Sequence, residues 1–186
     1  MKNLKVFIAG SRHLSKLSRE VTRRIDNIIA QRLSVVVGDA NGIDKAVQKY
    51  LSTKHYKDVL VFCMEGGCRN NVGNWPIRAV NAANPNRHDF AYYSTKDRVM
   101  VDEADYGLML WDAQSRGTLT SIVNLVRDRK PVVVYVAPDK SFHTLRNSED
   151  LTSMLRRFDP IALKQVNHEL HVVNRHTRNL DTAPLF

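Results

Sequence analysis

The sequence has little cysteine, few aromatics and no long apolar run. Its two cysteines, Cys63 and Cys68, form a lone C-x4-C. That is too few for a disulfide framework or an all-cysteine metal site. Metal or disulfide chemistry stays open, but two thiols in a cytoplasmic protein is the favoured reading, and no metal site is expected. No apolar stretch approaches the length needed to span a bilayer, so no membrane association is expected. The opening Met1-Lys-Asn-Leu-Lys leads into an apolar strand without a signal-peptide pattern.

What is present is a basic chain with enough apolar material for a core. Its 186 residues carry a net charge of +9 and are 43% hydrophobic, which fits one domain with an extension. Residues 1–60 hold 12 Lys/Arg against 5 Asp/Glu, residues 61–136 hold 9 against 8, and residues 137–186 hold 7 against 6. The excess therefore sits in the first third, on Arg19, Arg23, Arg24 and Arg32 and on Lys45, Lys49, Lys54 and Lys57. Such a surface suits an anionic partner or simply a solvated basic face.

The stretch Asp105 to Val126 organises the rest. Gly107 to Trp111 is a short apolar run of the kind buried in a parallel sheet. A polar turn, Asp112 to Gly117, follows. Leu119, Ile122, Val123 and Val126 then recur at helical spacing. Gly117 permits close backbone approach and Thr118 can cap, so the helix entrance can hold phosphate or carboxylate, or be an ordinary capped start.

Four further apolar runs read as strands: Lys5 to Ala9, Ser34 to Val37, Val59 to Cys63 and Val132 to Val136. Amphipathic helices separate them, one on Leu17, Val21, Ile25, Ile28 and Ile29, another on Ile43, Ala46, Val47, Tyr50 and Leu51. A third helix is capped by Ser94 in an S-x-x-D arrangement with Asp97. Glu65 to Asp89 is a long Asn-rich loop with one short helix near Ile77 to Ala83. Strands alternating with helices predict an α/β fold: a Rossmann-like, doubly wound parallel sheet of about five strands. The order 3-2-1-4-5 puts the first and fourth strands side by side and opens a crevice at their carboxyl ends. Gly10-Ser11-Arg12-His13 and Asp112 to Thr118 would meet there, with Gly38 to Asp44 next door. Residues 1–137 form this domain. Residues 138–186 are a small extension with helices on Leu151, Met154, Leu155 and Phe158 and on Ile161 to Val166.

Taken in order, Gly10-Ser11-Arg12, Gly38-Asp39-Ala40-Asn41-Gly42-Ile43-Asp44, Asp97-Arg98-Val99-Met100 and Gly117-Thr118 resemble the SLOG superfamily of Rossmann-like nucleotide-binding domains. That group includes the DNA-processing protein A family and the Lonely Guy phosphoribohydrolases. The resemblance spans roughly residues 4 to 136. It implies a nucleotide or nucleotide-derived ligand held by phosphate, with Gly10, Ser11, Arg12, Gly42, Arg98, Arg116, Gly117 and Thr118 as binding residues. No particular cofactor is implied. Lonely Guy enzymes carry P-G-G-x-G-T-x-E-E; here Thr120 and Ser121 stand where the glutamates would be, which removes that family's catalytic carboxylate.

Individual residues carry two readings each. Arg98 is a phosphate clamp or the partner of Asp102, one helical turn on. Asp39 and Asp112 are the acid/base candidates, or helix-start and turn residues. Arg116 holds phosphate or is solvated. Trp111 is core, and Trp75 is the candidate for stacking on a base. His168, His171 and His176 lack a carboxylate cluster and are not expected to bind metal. The function expected is nucleotide binding, as an enzyme or a sensor. The alternative is a nucleic-acid-binding module using the basic first third. A homo-oligomer is also expected, and the extension reads as a lid, a dimerisation arm or a tail.

Overall fold

The computed structural model describes residues 3–65, 67–81, 89–170 and 185–186. Strand β1 (Lys5–Gly10) is followed by α1 (Arg19–Ala30), β2 (Ser34–Gly38), α2 (Ile43–Thr53) and β3 (Val59–Met64). Then come β4 (Ile77–Val80), α3 (Phe90–Glu103), β5 (Tyr106–Trp111), α4 (Arg116–Arg127) and β6 (Val132–Val136). The chain continues with β7 (Ser141–Leu145), α5 (Ser148–Phe158) and α6 (Pro160–Leu170). One sheet holds all seven strands in the order β4-β3-β2-β1-β5-β6-β7. Every pairing is parallel except β6 with β7.

The five expected strands take the expected order, and β1 lies beside β5 with Gly10 opposite Leu110. Two edge strands were not expected. Residues 77–80, read as the start of a short helix, form β4 against β3; Ala82 and Ala83 lie outside the described residues. The boundary expected at residue 137 falls between β6 and β7, which are hydrogen-bonded neighbours. Leu151, Met154 and Leu155 of α5 join the same buried cluster as β5 and α4. That part of the extension is therefore core rather than an appendage.

Each face of the sheet has its own apolar layer. Val21, Ile25 and Ile28 of α1 and Ile43, Val47 and Leu51 of α2 cover one face, packing on Val6, Ile8, Val35, Val37 and Leu108. Helices α3, α4 and α5 cover the other face through Met100, Val101, Ile122, Leu125 and Leu151, against Phe7, Val36, Phe62, Met109 and Trp111. Strands covered on both faces read as unbroken apolar runs, which is why they were legible. Helix α3 begins earlier than expected. Asp89, not Ser94, caps it by accepting from the Tyr92 amide at 3.1 Å.

Trp111 is fully buried, as expected. Trp75 is not a stacking platform: it is 6% exposed, and its indole donates to the Tyr56 carbonyl at 2.9 Å. Cys63 and Cys68 are not free thiols but a disulfide that ties the end of β3 to the loop after it. No helix among the described residues is long and apolar enough to cross a membrane. His171 and His176 lie outside the described residues, and nothing is described of the His168 side chain.

Candidate functional site at the switch-point crevice

The β1 and β5 turns meet as expected, and the chemistry of their contact is visible. Ser11, wholly buried, donates its amide to the Leu110 carbonyl at 3.0 Å and its hydroxyl to Asp112. Asp112 also accepts from the Gln114 and Ser115 amides at 3.1 and 2.7 Å. Such an Asx-type turn reverses the chain after β5 and delivers it to α4. Ser115 caps α4 by accepting from the Thr118 amide, a role expected of Thr118 itself. Gly117, in the first turn, has open space where a Cβ would project.

The α2 entrance is held against the same turn. Gly42 sits at φ +82°, and a Cβ there would collide with the Arg12 backbone. Glycine is required for that approach, which brings the Ile43 amide to the Ser11 carbonyl at 3.3 Å.

Between these turns and α3 lies a cavity of about 520 Å³. Of the residues expected to bind ligand, Gly10, Arg12, Arg116, Gly117 and Thr118 line it. Ser11 and Gly42 stand behind the wall and shape it. Arg98 does not line it. Its guanidinium pairs with Asp128 at 2.6 Å and Asp102 at 2.5 Å, so the ion-pair reading holds and the phosphate-clamp reading does not. Residues 97 and 98 are neighbours on a helix and face different ways; Asp97 is the one in the crevice.

The two expected acid/base residues are both committed to structure. Asp39 is 1% exposed. It accepts from Lys96 Nζ at 2.6 Å and from Arg69 Nη2, Nε and backbone amide at 2.7, 3.1 and 3.0 Å. Burial alone would push its carboxyl up. The Arg69 hydrogen bonds and the Lys96 charge outweigh that and hold it well below the usual carboxylate range. A carboxylate so strongly paired is a poor proton carrier at neutral pH. Burial likewise pushes Asp112 up, but its bonds from Ser11, Ser115 and Gln114 bring it below its ordinary value. Neither residue lines the cavity.

The carboxyls whose proton affinity is raised are Asp44 and Asp97, both of which line the cavity. Burial pushes Asp44 up to about 7, with Lys96 opposing and Asp97 adding to the rise. Burial also pushes Asp97 up to about 6, with Lys96 and Arg69 opposing. Asp44, in the first turn of α2, accepts from the Ala40 amide at 3.2 Å. Gly38 leaves room for it, since a Cβ there would occupy the position of the Asp44 carboxylate. Lys96 and Arg69 were not expected. A lysine in a helix reads as solvated, and nothing local marks Lys96 as the buried partner of a residue 57 positions earlier.

The rim carries cations and aromatic rings. The Arg116 guanidinium lies 5.0 Å from the centre of the Phe90 ring, and Arg69 lies 4.9 Å from that of Tyr93. Phe90 is 45% exposed. Arg12 and Arg116 have no ion-pair partner among the described residues. An arginine fork can pair with two oxygens of an anion, and an exposed ring can stack on a planar group.

The geometry defines a Rossmann-like α/β protein with an anion-compatible crevice at its topological switch point. The solved structure of DNA processing protein A from Helicobacter pylori, described for its single-stranded DNA binding mode, has this fold. It matches with a TM-score of 0.56 at 14% identity, covering 91% of this chain and 81% of that one. No family model and no curated protein matches the chain.

Proposed function

We propose that the protein binds single-stranded nucleic acid by seating one nucleotide unit in the crevice. The observation that carries this reading is the rim: Arg12 and Arg116, without ion-pair partners among the described residues, stand on one cavity with the rings of Phe90 and Tyr93. Phosphate lies against Arg12, Arg116 and the α4 entrance at Gly117 and Thr118, and the base lies against the rings. The net charge of +9 favours a polyanion, and the Helicobacter pylori neighbour is described as binding single-stranded DNA.

Fluorescence anisotropy with a labelled oligothymidylate at 50 mM and 200 mM salt tests this. Binding should weaken steeply with salt, and Arg12→Ala and Arg116→Ala should each lower the log–log salt slope by about 1. No complex at the lower salt, or unchanged affinity in both variants, would overturn it.

A free nucleotide as ligand, bound by an enzyme or a sensor, is the second reading. The cavity volume favours it, since about 520 Å³ suits a mononucleotide. If turnover occurs, Asp44 and Asp97 are the acid/base residues in place of Asp39 and Asp112. Mononucleotides that raise the melting temperature and displace the oligonucleotide would favour this reading.

A further inference from the structure

The disulfide lies one residue from a crevice wall. Cys63, the penultimate residue of β3, is 2% exposed, while Cys68 is half-buried. Arg69 follows Cys68 directly. Its backbone amide and its guanidinium both hold Asp39, and the guanidinium lies over Tyr93, which lines the cavity. The next residue, Asn70, donates to the Asp39 carbonyl at 2.7 Å, and its own carbonyl accepts from Gln48 at 3.1 Å. A carboxylate oxygen of Asp39 and both sulfurs lie within 4.8 Å of one another. One covalent bond thus anchors the turn that supplies Arg69 to the buried pair of Asp39 and Lys96.

We propose that Cys63–Cys68 is a thiol-reversible site that controls the Arg69 wall of the crevice, with a small dithiol or a glutathione-class thiol as co-reactant. A thiolate attacks Cys68 Sγ, the more accessible sulfur, and Cys63 leaves as a thiolate that takes a proton. A second thiolate attacks the mixed disulfide, Cys68 leaves as a thiol, and the reagent departs as its own disulfide with the two electrons transferred. The reverse exchange with oxidised glutathione restores the bond. With the bond closed, Arg69 is held on Asp39 and Tyr93. With it open, the Cys68–Asn70 turn keeps only its hydrogen bonds, and the wall opens more often. Closing a loop of this length restricts the open chain by a factor of roughly forty, which bounds the effect.

The full chain, treated with oxidised glutathione or with dithiothreitol, provides the test. Free-thiol titration should read zero and two thiols respectively. The Arg69 amide should exchange at least several-fold faster in the reduced protein, and no more than roughly forty-fold faster. Cys63→Ser/Cys68→Ser should match the reduced protein and ignore either reagent. Cys68→Ser alone serves if the double variant does not fold. Two free thiols after oxidation, or equal Arg69 exchange in both states, overturns the proposal. An affinity arm uses oligothymidylate, whose binding should weaken several-fold on reduction; unchanged binding also overturns the proposal. That arm rests on the nucleic-acid reading. If the oligonucleotide binds in neither state, that reading fails, while the thiol count and the exchange rates still decide the switch.

Discussion

Replacing Lys96 with methionine keeps the unbranched apolar stem, one atom shorter, and removes the charge. Both members of the Lys96–Asp39 pair are 2% exposed at the side chain and 2.6 Å apart. Breaking such a pair from one side costs about 3–5 kcal/mol, because a buried charge loses its partner. Arg69 still holds Asp39 through two side-chain bonds, which puts the expected cost near the low end, about 3 kcal/mol. A second effect depends on pH. Lys96 is the main influence opposing the upward shift of Asp44. At pH 5 Asp44 is protonated in the native state of both proteins, and the charge on Lys96 matters little to it. At pH 8 the wild-type carboxyl has ionised, whereas in the variant its titration is displaced upward. That displacement adds at most about 1.4 kcal/mol to the cost at pH 8, which lies one unit above the wild-type value. Urea unfolding of both proteins at pH 5 and pH 8 measures the two effects, with the m-value reporting whether the denatured state has changed. Adding Asp39→Asn should recover part of the loss, since it removes the stranded charge. A cost under about 1 kcal/mol at pH 8, or one no larger at pH 8 than at pH 5, refutes the reasoning.

Other perturbations follow from the same geometry. Asp44 and Asp97 bind protons more tightly folded, near 7 and 6, than unfolded at 3.8, so wild-type stability should fall as pH rises from about 4 to 7. Asp39 has the opposite sign: its contribution is full above 3.8 and is lost as pH falls below that value. Thermal melts from pH 3 to 8 should therefore peak near pH 4–5, and Asp44→Asn should flatten the upper limb; a wild-type profile that rises between pH 5 and 8 contradicts the assignment. Gly42→Ala should cost about 2–4 kcal/mol in urea, because the Cβ meets the Arg12 backbone at a positive φ. Gly117→Asp should leave the melting temperature within a few degrees yet weaken oligonucleotide binding at least tenfold, since its Cβ meets nothing and its charge faces the ligand. Equal binding by that variant would move the anion site elsewhere.

The backbone plan was legible because buried parallel strands leave a strong mark. Val6-Phe7-Ile8, Val35-Val36-Val37 and Leu108-Met109-Leu110 are continuous apolar triplets, covered on both faces. The edges left no such mark. Strand β4 buries only Val80 of its four residues, and β7 reads Ser-Phe-His-Thr-Leu with Leu145 alone buried. A short strand with one covered face has no distinctive period over four or five residues. The crevice was legible as backbone and partly illegible as chemistry. Gly10 and Gly42 stand where the backbone approaches closely, whereas Gly117 marks the entrance of α4 with open space beside it. Whether Asp39 or Asp44 faces the cavity depends on where two side chains, from α3 and the Cys68–Asn70 turn, end up, and that is a matter of tertiary packing.

The reassignment from Asp39 to Asp44 and Asp97 follows from charge balance rather than from proximity. Among the floor groups, Lys96 and Arg69 supply two positive charges, and Asp39, Asp44 and Asp97 could supply three negative ones. Both cations bond directly to Asp39, so it takes the ionised form and leaves its neighbours only residual attraction. Asp44, buried, and Asp97, partly buried, have no direct cationic partner, so both bind a proton more tightly than an ordinary carboxyl. This condition bears on the proposed phosphate site, since a fully ionised floor would repel an anion placed against Arg12 and Arg116. Anion binding should therefore draw protons onto Asp44 and Asp97, and proton uptake on binding is the signature that separates this floor from a fully ionised one.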